Sequence, residues 1–326
     1  MQNSRRFRKI NMEFNNIIIF IIFNIIKMDC NNKNKTLRYF FRILTIFFIV
    51  CIIISLIAYI AYNILKKNID ERFKNSCNND NSVLNFEEFK NKDHIETYAI
   101  HANNIYVENC RNGLIHDHLG HWQLIKLIKL KNDNIIGYII KSSQTNDVVL
   151  SFRGSASSFD LLSGIKISQK SIPFAEGKVH KGFYNYYVKF RKQILDSLDK
   201  IKFQNIYMTG HSMGGIFAIL CSIDIFKRYS NCNVNTVVFG TPKIGNDKFS
   251  NYLGILNKDS RYNLTLVAND NDIITQIPST NYFHPNVVYK KFYIDYGNIT
   301  QNHSINNYNN THVLNSLNNV NVRNIS

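Results

Sequence analysis

Three features of this sequence predict an α/β fold with a mostly parallel central sheet, preceded by one membrane-spanning helix. Apolar, strand-like runs alternate with amphipathic helical ones between Leu124 and Ala268. One junction, Ile206 to Ser222, passes from a β-rich run through Gly210-His211-Ser212-Met213-Gly214 into an apolar helical run, the strand, sharp turn and helix that a G-x-S-x-G elbow requires. Upstream, Ile43 to Tyr62 carries no charged residue. At helical rise a run of that length reaches about 30 Å, the depth of a bilayer core.

From the N-terminus, residues 1–42 form a basic, Asn-rich segment, 43–65 a transmembrane anchor, 66–90 a polar stalk and 91–326 the globular domain. The earlier apolar run Ile17 to Ile26, interrupted by Asn24, is too short to span. No small-residue cleavage site follows the anchor, so it is expected to be retained. Lys27, Lys33, Lys35, Arg38 and Arg42 precede it, and Lys66, Lys67, Arg72 and Lys74 follow it. This bias favours a cytoplasmic N-terminus and a single-pass topology, with the globular domain in a lumen or outside the cell. Asn263, Asn298, Asn302, Asn309 and Asn324 stand in N-x-[ST] sequons, which only that topology would expose to glycosylation.

The formal net charge is +16, spread along the chain without the arginine blocks or interleaved aromatics of a nucleic-acid module. A nucleic-acid partner is therefore not expected, and attraction to an anionic membrane surface is. Six cysteines include no C-x-x-C, and Cys221, inside the apolar helix after the elbow, reads as a small buried apolar residue. His116, His118 and His121 form the one dense histidine cluster, but a defined third ligand is missing, so they read as a solvated turn and no metal is expected. The oligomeric state is not legible.

The globular part opens with a helix around Ile95 to Cys110, whose apolar positions recur at helical spacing. Leu124 to Leu130 and Ile135 to Ile140 read as hairpin-like strands, and Val148 to Phe152 as a buried strand ending in Arg153-Gly154-Ser155. Phe183, Tyr187, Phe190, Ile194, Leu198 and Ile201 mark one face of an amphipathic helix. The elbow strand and helix follow, then strand Val234 to Phe239, a helix from Phe249 to Leu256 and strand Leu264 to Ala268. In such sheets the functional groups gather at the carboxyl ends of the strands.

A serine on an elbow needs a base, and the base needs a carboxylate that orients it. Asn269-Asp270-Asn271-Asp272 directly follows the last strand and offers Asp270 or Asp272, while the base falls among His284, His303 and His312. Five segments then resemble the class 3 lipases, a family of α/β-hydrolases. They are Val149 to Ser155 with Asp160, Val179 to Phe183, Thr209 to Gly215, Phe239 to Asn246, and Asn271 to Ile274, all in the family's order.

The resemblance implies an α/β-hydrolase fold and a serine hydrolase that cleaves carboxylic esters of lipids. Ser212 matches the nucleophile, Asp272 the acid and His312 the base, with an oxyanion hole from the backbone N–H groups of Ser155 and Met213. Ile274-Thr275 replaces the family's Val-Pro, and Thr311 stands where the family has Asp before the histidine. His303 is the alternative base. His180, His211 and His284 fall at family positions read as structural, Arg153 is expected to support the oxyanion loop, and the apolar stretch between Ser155 and Val179 corresponds to a lid. The implied partners are a lipid or ester substrate and a membrane, with no cofactor. Two other functions fit the same residues: a membrane-anchored binding protein whose hydrolase site has decayed, and an acyltransferase using the same triad.

Overall fold

The computed structural model describes residues 35–79, 86–89, 94–111, 119–130, 135–154, 168–309 and 317–320. Its contacts separate a unit ending at Glu71 from one beginning at Arg72.

The first unit is dominated by helix α1 (Lys35–Asn79). Within it, Arg42–Ala61 is long and apolar enough to cross a membrane. Ile43, Phe47, Ile53, Ile57 and Ile60 are exposed along it. Its polar side chains turn back on their own helix: Ser55 Oγ donates to the Cys51 carbonyl and Asn63 Nδ2 to the Tyr59 carbonyl, each at 2.8 Å. The helix continues to Asn79, into the segment expected as a stalk. No Gly or Pro interrupts residues 66–79, so nothing in the covalent chain ends it earlier.

The second unit is built on an eight-stranded sheet. Helix α2 (Ile95–Arg111) leads into β1 (Trp122–Lys129), β2 (Ile135–Ser142) and β3 (Val148–Phe152). A two-stranded ribbon, β4 (Gln169–Lys170) and β5 (Val179–His180), precedes α3 (Lys181–Leu198). Then come β6 (Asn205–His211), α4 (Met213–Arg228), β7 (Asn233–Phe239), α5 (Asp247–Leu256) and β8 (Tyr262–Asn269). The 3₁₀ turn Ile273–Gln276, β9 (Val288–Phe292), the short helix α6 (Ile299–Asn302), the 3₁₀ turn Ile305–Asn309 and β10 (Asn318–Val320) complete it. The strand order is β1-β2-β3-β6-β7-β8-β9-β10. Strands β3, β6, β7, β8 and β9 run parallel, and antiparallel strands close both edges.

Side chains alternate between two cores, as a pleated strand covered on both faces requires. Val148, Leu150, Phe152, Ile206, Met208, Val234 and Val238 pack with Phe190 of α3 and Phe217 of α4. Val149, Tyr207, Val237, Phe239 and Val267 point the other way, onto Tyr98, Ala102 and Ile105 of α2. Cys221 is fully buried in the first core, as its position predicted. Tyr187 Oη and the Arg191 guanidinium, both on α3, meet the Asp224 carboxylate of α4 and pin the two helices together.

Two histidines hold the unit together as neutral rings. His101 lies flat on Phe89, with ring centroids 5.5 Å apart, and its Nδ1 is 2.9 Å from Tyr138 Oη. His284 Nε2 donates to the Thr275 carbonyl at 2.7 Å. Burial lowers both rings from the ordinary 6.5 to about 4. Between those values the unfolded chain binds protons that the folded one refuses, so stability is complete above about pH 6.5 and falls as the pH drops towards 4. A gap of this size is worth on the order of 3 kcal/mol per ring. The thermal midpoint should therefore drop steeply from pH 7 to pH 4. His101→Phe, which retains an aromatic ring in the cage, should flatten that slope; a profile as steep as wild type would contradict this account.

Candidate active site

The site forms where β3, β6, β7 and β8 end together, and each strand delivers one part. From β6 the chain turns at Ser212 into α4. Ser212 has φ 59° and ψ −129°, a left-handed conformation that costs a side-chain-bearing residue roughly 1–3 kcal/mol. It is held there by its N–H donating to the Phe239 carbonyl at 2.9 Å and by its carbonyl accepting from Gly215 N at 3.0 Å. The turn needs glycine at 214: a Cβ there would lie 2.2 Å from the Phe152 carbonyl oxygen. Ser212 is 2 % exposed, and its Oγ is buried without a hydrogen-bond partner among the described residues. Met213 opens α4, so its N–H belongs to the first helical turn, where no intrahelical carbonyl is available.

Strand β8 ends at Asn269, and Asp272 caps the 3₁₀ turn that follows, with Oδ1 accepting from Ile274 N at 3.0 Å. Asp272 is fully buried. Its Oδ2 lies 2.6 Å from His303 Nδ1. Asp270, the other sequence candidate, faces away and pairs with Lys291 Nζ at 2.5 Å. Both oxygens of Asp272 are thus engaged without His312, which lies outside the described residues, as does Ser155.

His303 reaches this carboxylate because Asn269 ties the segments together. Asn269 Nδ2 donates to the carbonyls of Ile294 (2.8 Å) and Asn302 (3.3 Å), and its Oδ1 accepts from Ile294 N at 3.0 Å. Tyr308 Oη accepts from Asn269 N at 3.2 Å. Sequence reasoning missed Asn269, and also Asn302, the residue before His303, whose carbonyl accepts from Asn269 Nδ2. With Nδ1 on Asp272, His303 is left with Nε2 buried and unpartnered among the described residues. The arrangement offers one oriented imidazole nitrogen and one unpartnered serine hydroxyl at the same strand ends.

The remaining histidines separate cleanly. His180 caps α3, its Nδ1 accepting from Phe183 N at 3.3 Å, and His284 is the structural ring described above. His211 packs on His303 with ring centroids 4.6 Å apart. Burial, and then the neighbouring His303, push its proton affinity well below the ordinary histidine range. Arg153 is 6 % exposed, and burial lowers its proton affinity. His116 and His118 lie outside the described residues, while His121 Nε2 contacts Glu88 Oε1 at 3.1 Å. Among the described residues no group of three His, Cys, Asp or Glu could hold a metal.

Of the stretch expected as a lid, residues 155–167 lie outside the described residues. Its C-terminal end is fastened to the domain: β4 pairs with β5, Tyr282 Oη donates to the Ser168 carbonyl at 3.1 Å, and Ile172 is buried in the core.

A sequence model of the family described as lipase (class 3) matches residues 149–282. The lipase of Rhizomucor miehei is 28% identical over 148 residues, covering 43% of this chain and 40% of the relative. The lipase of Rhizopus niveus is 26% identical over 161 residues, covering 46% and 40% respectively. A lipase of Caenorhabditis elegans is 32% identical over 121 residues, covering 35% and 34%. The chain thus spans about 40% of the length of the two fungal relatives. Among solved structures, lipase II from Rhizopus niveus superposes with a TM-score of 0.52 at 20% identity, covering 62% of this chain and 80% of that one. A triacylglycerol lipase described as having a serine protease triad at its catalytic centre gives 0.51 at 24% identity, covering 63% and 81%. At these identities the structures report a shared α/β-hydrolase fold, and within it residues 149–282 match the class 3 lipase family model.

Proposed function

We propose that the globular unit is a serine hydrolase that cleaves carboxylic esters of lipids, with Ser212 as nucleophile, His303 as base and Asp272 as the carboxylate that orients it. The observation that carries this reading is the 2.6 Å contact from His303 Nδ1 to a fully buried Asp272, which leaves Nε2 free at the strand ends where Ser212 Oγ is also unpartnered.

In the forward step His303 Nε2 takes the Ser212 hydroxyl proton as Oγ attacks the ester carbonyl. The negative oxygen that forms accepts hydrogen bonds from the N–H of Met213 and from the Ser155 amide beside Gly154. Collapse of the tetrahedral species breaks the ester C–O bond, and the leaving alcohol takes the proton from His303. Water, deprotonated by the same nitrogen, then attacks the acyl-serine; the C–Oγ bond breaks, His303 returns the proton to Ser212 Oγ, and the acid is released. Asp272 accepts from His303 Nδ1 and stabilises the imidazolium in both halves.

A lipid substrate is supported by the relatives' names and by the surface of the segments that carry the acid and base. Ile273, Tyr293, Tyr296 and Ile299 are all more than two-fifths exposed there. The Arg42–Ala61 run supports a single-pass anchor, with the catalytic unit luminal or extracellular. A fluorophosphonate probe should label the wild-type chain in detergent and leave Ser212→Ala unlabelled. Equal labelling of both would overturn the assignment.

A further inference from the structure

We infer that Tyr106 is a positioning residue that holds the oxyanion side of the site against the serine elbow. This rests on the reading above and adds a residue from a helix that supplies none of the triad.

Tyr106 lies on α2, across the sheet from α3 and α4. Its hydroxyl accepts from Gly154 N at 3.1 Å and lies 3.0 Å from His211 Nδ1. One oxygen therefore ties the residue before Ser155 to the residue before Ser212. Having accepted from Gly154, the hydroxyl retains one proton, and His211 Nδ1 is the acceptor within reach. That bond fixes His211 as the neutral tautomer protonated on Nε2, in keeping with the low proton affinity of that ring. The same ring packs on His303.

Gly154 is clamped between these groups. A Cβ on it would lie 2.5 Å from Tyr106 Oη, 2.6 Å from the His211 carbonyl oxygen and 3.0 Å from Ser212 Cβ. Gly154 therefore lies directly against the serine. Using up the Gly154 N–H on Tyr106 fixes the plane of the Arg153–Gly154 peptide against the serine elbow. An oxyanion donor is worth most when held in place before charge develops, so a group that fixes the peptide just before it acts on the transition state more than on the bound ester.

Tyr106→Phe in the full chain tests this, with Tyr262→Phe as its structural counterpart. Tyr262 makes a tyrosine to serine hydrogen bond of 2.8 Å with Ser222, buried under α4 and away from the site. On 4-nitrophenyl butyrate, Tyr106→Phe should lower kcat about 10-fold or more with KM within about twofold. Inhibition by phenylboronic acid, whose serine adduct mimics the tetrahedral species, should weaken by a similar factor. Tyr262→Phe should lower the thermal midpoint and leave kcat and boronate affinity unchanged. If both variants lose activity only in proportion to lost folded protein, or if Tyr106→Phe keeps wild-type kcat and boronate affinity, the positioning role is refuted. Should Ser212→Ala instead retain activity, the triad reading falls, and that result is separable from the Tyr106 comparison.

Discussion

Alanine at position 303 should lower kcat on a soluble ester by about 10³- to 10⁴-fold, the loss expected when one member of a serine triad is removed. The effect is large because His303 does two things that nothing adjacent can replace. On the proposed mechanism its Nε2 carries the proton in both half-reactions, and its Nδ1 is the partner of a carboxylate with no solvent exposure. His211, the nearest other ring, cannot substitute: its Nδ1 faces Tyr106, and burial keeps it from taking up a proton near neutral pH. His312→Ala should stay within about threefold of wild type in the same assay, a bound set by the small effect of most substitutions outside reacting groups. Parallel kcat and KM values for the two variants decide between them; a loss confined to His312→Ala would move the base to that residue.

The pairing of His303 with Asp272 is hard to read from the sequence for a physical reason. The elbow is local: Gly210, Ser212 and Gly214 lie within one turn of chain, and the close approach that demands glycine is visible in their spacing. The buried strands are equally legible, because Val148 to Phe152 and Val234 to Phe239 send apolar side chains to both faces of a covered sheet. The meeting of His303 with Asp272 is not local. It depends on Asn269 reaching across to the Ile294 and Asn302 carbonyls, and in a chain this rich in asparagine none of these stands out. Tyr106 is harder still, since its two partners lie 48 and 105 residues away. Helix α1 outruns its expected end for the opposite reason: polarity marks where a helix leaves the bilayer, and does not mark where the helix stops.

Gly214→Ala should be the most damaging single methyl group in the domain. It places a carbon 2.2 Å from the Phe152 carbonyl oxygen and 2.8 Å from the Arg153 carbonyl carbon. Both obstacles are main chain, and the Phe152 oxygen belongs to a central strand paired on either side, so neither can rotate away. The start of α4 must then move off the end of β3, which draws the Met213 N–H away from the loop at Gly154. Overpacking of this kind costs about 1–3 kcal/mol, with backbone obstacles at the upper end, and a displaced oxyanion donor costs about 10²- to 10³-fold in kcat. Gly215→Ala provides the contrast. Its nearest obstacle, at 2.1 Å, is the Thr241 hydroxyl, a side-chain atom that Thr241→Ala removes. Urea unfolding and initial rates should show Gly215→Ala partly restored in the double variant with Thr241→Ala, whereas Gly214→Ala should gain nothing from the same second change. Recovery of Gly214→Ala by Thr241→Ala would mean that the elbow is set by side-chain packing and not by the approach of two main chains.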